Sequence, residues 1–195
     1  MDANWRSSLW QQFGAAIDML GNAVAACPDE LWRVRLWDDA ELPAAAEFWY
    51  IAYHTLFWLD LYLTGAVEGF EPPAPFNRDE LDPAGLLPET PHTRDELQGY
   101  LEHGRRKCRT TIDALTDEQA SRHCHFPWGE VSFAGLLLDN MRHVQEHAAQ
   151  LNLILGQKTG WSPRWVAQAR TDAASAVQLR IEKYELRTPS SSVIS

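Results

Sequence analysis

Apolar residues return at three- and four-residue steps through Trp5, Leu9, Phe13, Ile17, Leu20 and Val24, the stripe of an amphipathic helix over residues 4–26. Cys27-Pro28 ends it, because proline pushes the residue before it out of helical space. A second segment opens at Pro43, a favoured first helical position, and runs through Phe48, Ile51, Tyr53, His54, Phe57, Trp58, Leu61 and Tyr62 to Gly65. It is apolar nearly all round, which predicts a helix at the centre of the fold. Residues 69–91 hold six prolines and few periodic apolar positions, the pattern of a long surface crossover with turns and no element of its own.

Thr93-Arg94-Asp95-Glu96 is a capping box, and Leu97, Tyr100, Leu101, Cys108, Ile112 and Leu115 mark one face of a third helix, weakened but not forbidden by Gly99 and Gly104. Thr116-Asp117-Glu118-Gln119 repeats the box and starts a short helical turn, after which residues 123–129 read as irregular connection. Ser132 is the N-cap of a fourth long helix, whose pattern runs through Leu136, Leu138, Met141, Val144, Ala148, Leu151 and Leu155 to Gly156 as its stop. Residues 164–186 read as helical, and Thr188 to Ser192 as a frayed tail.

Four long helices, one long crossover, no credible β-alternation and no internal repeat predict an all-α four-helix bundle over residues 1–160, with a C-terminal helical extension and tail over 161–195. The charge narrows its partners. With 17 Lys+Arg against 27 Asp+Glu the formal net charge is −10, which argues against nucleic acid and anionic membrane. Glu47, His54 and Asp60 interrupt the apolar run from Leu42 to Val67, so it reads as a buried core helix rather than a membrane span. Met1-Asp2-Ala3-Asn4-Trp5 lacks the positive start of an export signal, and Cys27, Cys108 and Cys124 form no disulfide framework, so a cytoplasmic location is expected.

The strongest chemical signal is His143-Val144-Gln145-Glu146-His147, which stacks two imidazoles one turn apart on one helical face, where both can reach one ion. His54, midway along the apolar second helix, needs a partner there. If the second and fourth helices face each other, it completes a three-histidine site with positions left open for water and substrate. The residues alone also allow a neutral His54 bonded to a backbone carbonyl, with His143 and His147 exposed. Asp60, six residues on, lies on a different face and is not a ligand candidate.

His54 within Tyr53-His54-Thr55-Leu56-Phe57-Trp58, the block from Asn140 to Leu151 and the long crossover resemble the DinB/YfiT-like superfamily over residues 5–157. The resemblance implies one divalent ion, zinc or nickel, on His54, His143 and His147, with water in the open positions, and a homodimer. It further implies a metal-dependent hydrolase or a low-molecular-weight-thiol S-transferase acting on a small molecule. Many relatives carry a further histidine and a His/Arg-Gly-Gln run where this chain has Ala148-Ala149-Gln150-Leu151-Asn152. Asp139, Glu146 and Gln150 are the candidates to hold the outer ring nitrogens of the ligands.

Trp10, Trp49, Trp58 and Trp128 are candidates to line an apolar pocket, although tryptophans at helical spacing more often belong to a core. Two other readings compete. His-x-x-Glu-His also fits an inverted zincin, with Glu146 activating water and Glu182 or Glu185 as the distant ligand, although no supporting sheet is expected. The chain also fits a non-catalytic binding or interaction bundle with a structural metal or none. Cys124 with His123 and His125 reads as a loop cluster rather than a second site, and Cys27 and Cys108 as buried thiols.

Overall fold

The computed structural model describes residues 2–161 and 163–171. Helix α1, Ala3–Ala26, buries Leu9, Phe13, Ile17, Leu20 and Val24 as their spacing requires, and ends at Cys27 before Pro28. Helix α2 is Phe48–Thr64, shorter at its start than the sequence suggests. Pro43 opens a separate 3₁₀ turn, Pro43–Ala46, and Glu47 is extended with ψ 146°. The Glu47 carboxylate accepts hydrogen bonds from Arg33 at 2.9 Å and from the Trp49 indole at 2.7 Å, and this grip favours the break. At its other end α2 stops at Gly65, where φ is +77° and a side chain would be strained.

Helix α3, Arg94–Asp113, and the short α4, Asp117–Ser121, both begin with the capping boxes read from the sequence, on Thr93 and Thr116. The segment between α4 and the last long helix is not irregular. It is a hairpin of β1, His123–Phe126, and β2, Gly129–Ser132, antiparallel with Cys124 opposite Val131. Cys124 and Phe126 point inward while His123 and His125 stay exposed, an alternation only four residues long and too brief to stand out in the sequence. Ser132 then caps α5, Phe133–Thr159, which runs through Gly156 and stops at Gly160 in the left-handed conformation with φ +71°.

The long helices form a ring in which α1 packs on α3 and α5, and α2 packs on α3 and α5. Gly104 serves the α2–α3 contact, since a Cβ there would lie 2.9 Å from Leu59 Cδ2. Residues 163–171 form no helix. They are fixed against α1 by Ala169 N donating to Gln11 O at 2.9 Å and Arg170 N donating to the buried Asp18 at 2.7 Å, bonds that compete with a helix's own. The remainder of the expected C-terminal helix and tail lies outside the described residues. None of the described helices is long and apolar enough to cross a membrane.

Asp60 locks α2 to α3. It is fully buried, and takes hydrogen bonds from the Lys107 ammonium, from Tyr100 Oη at 3.2 Å and from His103 Nε2 at 3.4 Å, while Asp60 O accepts from Lys107 at 2.9 Å. Asp60→Ala strands these donors. The Lys107 side chain is 29 % exposed and can turn to water, so the expected loss is about 2–4 kcal/mol, toward the lower end for a broken buried pair. Urea unfolding of the variant against wild type checks this.

Candidate metal centre

Adjacent helices α2 and α5 bring His54 face to face with His143 and His147. His143 Nε2 lies 3.3 Å from His54 Nε2 and 3.1 Å from His147 Nε2, and the three ligand atoms all fall within 4.8 Å of one another. Three nitrogen atoms bound at about 2.0–2.1 Å to one tetrahedral ion are spaced about 3.3–3.4 Å apart, so the cluster has the size such an ion requires. The alternative arrangement, a backbone-bonded His54 beside an exposed histidine pair, does not occur. All three rings are partly buried.

The outer nitrogens decide what the inner ones can do. His54 Nδ1 donates to Glu80 Oε2 at 2.8 Å, and because a carboxylate can only accept, the proton of a neutral ring sits on Nδ1 and the lone pair on Nε2. His147 Nδ1 is likewise 2.8 Å from the Gln150 side-chain oxygen, as the sequence suggested. The Nε2 lone pairs of His54 and His147 therefore both point towards His143 Nε2, where one cation could take all three nitrogens. The donor set fits a divalent metal. His143 Nδ1 is buried with no partner among the described residues, and so is Asn140 Oδ1 one turn before it.

Glu80 is the functional group that sequence reasoning missed. It sits in a 3₁₀ turn, Asp79–Leu81, inside the proline-rich crossover, which therefore does hold an element. Its side chain is only 5 % exposed and accepts from Tyr50 Oη, His54 Nδ1 and Trp58 Nε1, three residues at four-residue steps along α2. Phe76 and Leu81, apolar residues flanking Glu80, were the available sign that this stretch docks rather than floats. Burial pushes the Glu80 carboxyl up, but the hydrogen bond and charge of His54, with bonds from Tyr50 and Trp58, outweigh it and hold the group below the usual carboxylate range.

Two of the proposed outer partners do not reach the rings. Asp139 lies 3.7 Å from Arg142 in an ion pair within α5, and Glu146 is exposed to solvent. An exposed Glu146 gives the inverted-zincin reading no geometric support, and Glu182 and Glu185 lie outside the described residues. The four tryptophans do not line one pocket. Trp10 and Trp49 are core, Trp58 is bonded to Glu80, and Trp128 is half exposed on the hairpin, its indole donating to Tyr62 Oη at 3.0 Å.

A sequence model of the DinB superfamily matches residues 12–151, and the chain belongs to that superfamily. Its fold is similar to the crystal structure of a DinB-like protein, YjoA, from Bacillus subtilis. The two share 15 % identity and a TM-score of 0.53, over 84 % of this chain and 99 % of that one. At this identity the likeness is one of fold. No match is found among curated proteins.

Burial, and then the neighbouring imidazoles, push His143 down to about 3, and burial also lowers His147. A depressed imidazole pKa means the neutral, ligating form persists as pH falls. Three ordinary imidazoles would lose roughly 50-fold in metal affinity between pH 7.5 and 6 to competing protons. Here the expected loss is several-fold smaller, because His143 drops out of the competition with protons, as measured by zinc titration against a chelator of known pH dependence.

Proposed function

We propose that this DinB-superfamily protein is a metal-dependent enzyme, a hydrolase or a low-molecular-weight-thiol S-transferase, that uses one zinc or nickel ion on His54, His143 and His147 to act on a small molecule. The observation that carries this reading is the convergence of three Nε2 atoms at ion-binding spacing. Among the described residues no fourth His, Cys, Asp or Glu joins the group, which favours an open coordination position over a closed structural site.

An ion in that position supplies Lewis acidity, lowering the pKa of a water or thiol brought to it. The protein's own part is to aim the imidazoles, through Glu80 on His54 and Gln150 on His147, and to keep His143 and His147 neutral by burying them. His54 keeps 29 % of its side chain exposed, so a small molecule has access from solvent. The protein's own cysteines are poor nucleophiles. Burial pushes the Cys27 thiol up to about 12 and raises Cys108 and Cys124 as well, so a reacting thiol has to come from outside. Three free, buried cysteines suit a reducing cytoplasm.

Elemental analysis of tag-free protein is expected to find close to one equivalent of zinc or nickel in wild type and almost none in His54→Ala or His143→Ala. The loaded protein is then offered a panel of activated esters and amides, and separately thiols with an electrophile. Turnover that vanishes with a chelator, returns with the ion and is absent from both variants supports the reading. One bound equivalent without turnover leaves a metal-binding bundle that is not an enzyme, and no uptake removes the triad.

A further inference from the structure

The two acceptors on the outer nitrogens of the triad differ in origin. Gln150 is three residues from His147 on the same helix, so its bond joins nothing new. Glu80 comes from the crossover, and its carboxylate is held entirely by the α2 stripe Tyr50, His54 and Trp58. A carboxylate this buried is costly to leave without donors, so the docking of the turn Asp79–Leu81 depends on that stripe. One donor, His54, is shared with the triad.

A cation drawing on the lone pair of His54 Nε2 polarises the ring and makes its Nδ1–H a stronger donor, and a carboxylate on Nδ1 makes Nε2 a better ligand. The two bonds strengthen each other through one imidazole. Glu80 also contributes a formal negative charge one ring away from where the ion would sit, whereas Gln150 contributes none. We propose that Glu80 is a positioning residue that couples ion binding at the triad to docking of the crossover, so that the ion closes residues 66–92 onto α2 and the docked crossover in turn tightens the ion. The proposal rests on the triad being a metal site. It makes the crossover a responsive part of that site.

The test uses the full chain and zinc alone. Zinc affinity is measured by chelator competition for wild type, Glu80→Gln and Trp58→Phe, and hydrogen exchange is followed along residues 66–92 with and without zinc. Glu80→Gln keeps a side-chain oxygen but loses the charge, and is expected to bind one zinc with affinity lowered by roughly 10–100-fold. Trp58→Phe removes one of three donors to the same carboxylate but keeps the charge of Glu80 and an aromatic ring beside His54, and is expected to lower zinc affinity by clearly less than Glu80→Gln does. Zinc is expected to slow exchange in the wild-type crossover, and to slow it less in Glu80→Gln, because linkage makes the two effects reciprocal.

Wild-type affinity in Glu80→Gln overturns the coupling, and so does crossover exchange indifferent to zinc in the wild-type protein, a measurement that needs no variant to fold. Equal loss in Trp58→Phe and Glu80→Gln also overturns it, by reducing Glu80 to a packing role. If wild type binds one zinc that His143→Ala abolishes while Glu80→Gln binds normally, the metal site stands and only the coupling falls. If wild type binds no zinc, both fall.

Discussion

Helix α2 is apolar around nearly its whole circumference, yet it carries His54 and Asp60, and neither can be left without a partner in such surroundings. Six residues at about 100° each put them about 120° apart around the helix, so they must be satisfied by different neighbours. Asp60 is met by Lys107, Tyr100 and His103 of α3. His54 is met by His143 of α5 on one ring nitrogen and by Glu80 of the crossover on the other. Two polar residues thus set the rotation and register of the central helix against both of its helical neighbours, while the apolar majority supplies the less directional part of the stability.

Those partners come at different cost. The Asp60 cluster is an ion pair reinforced by hydrogen bonds, complete within the protein. The His54 cluster is different, because satisfying Nδ1 with a carboxylate turns the Nε2 lone pair towards the two histidines of α5. A purely structural histidine would be expected to direct its lone pair to a donor. Three imidazoles gathered at one point, two of them buried deeply enough to resist protonation, form a group that could hold a metal ion.

Around this centre the irregular segments do specific work. The crossover, joining α2 to α3, delivers Glu80 to the middle of α2. The hairpin before α5 lays Phe126 and Trp128 against Tyr62, two helical turns beyond His54 on the same stripe, and leaves Trp128 half exposed near the end of α2. Residues 163–171 close the opposite side through Asp18, which accepts from Arg105 and from Arg170 N and so ties α1, α3 and the C-terminal segment together. Each segment is held by a few directed hydrogen bonds rather than by a helical stripe.

That distinction separates what the sequence determined by itself from what only the folded chain decided. Helix positions, both capping boxes, the Ser132 cap and the His143/His147 pair were legible because each depends on residues within a turn or two of one another, where periodicity and spacing translate directly into shared faces. His54 could be marked from its own surroundings as a group in need of a partner, and the family resemblance supplied which one. Glu80 could not be found this way. Its three donors lie between 22 and 30 residues away, across a proline-rich stretch whose composition says only that it is not a long helix. The hairpin was hidden by strands of four residues, and the non-helical course of residues 163–171 by contacts to α1 more than 150 residues earlier in the chain. Local pattern fixes which residues share a helix face. Which distant carboxylate meets the back of a histidine is decided only when burial forces every polar group to find a partner at once.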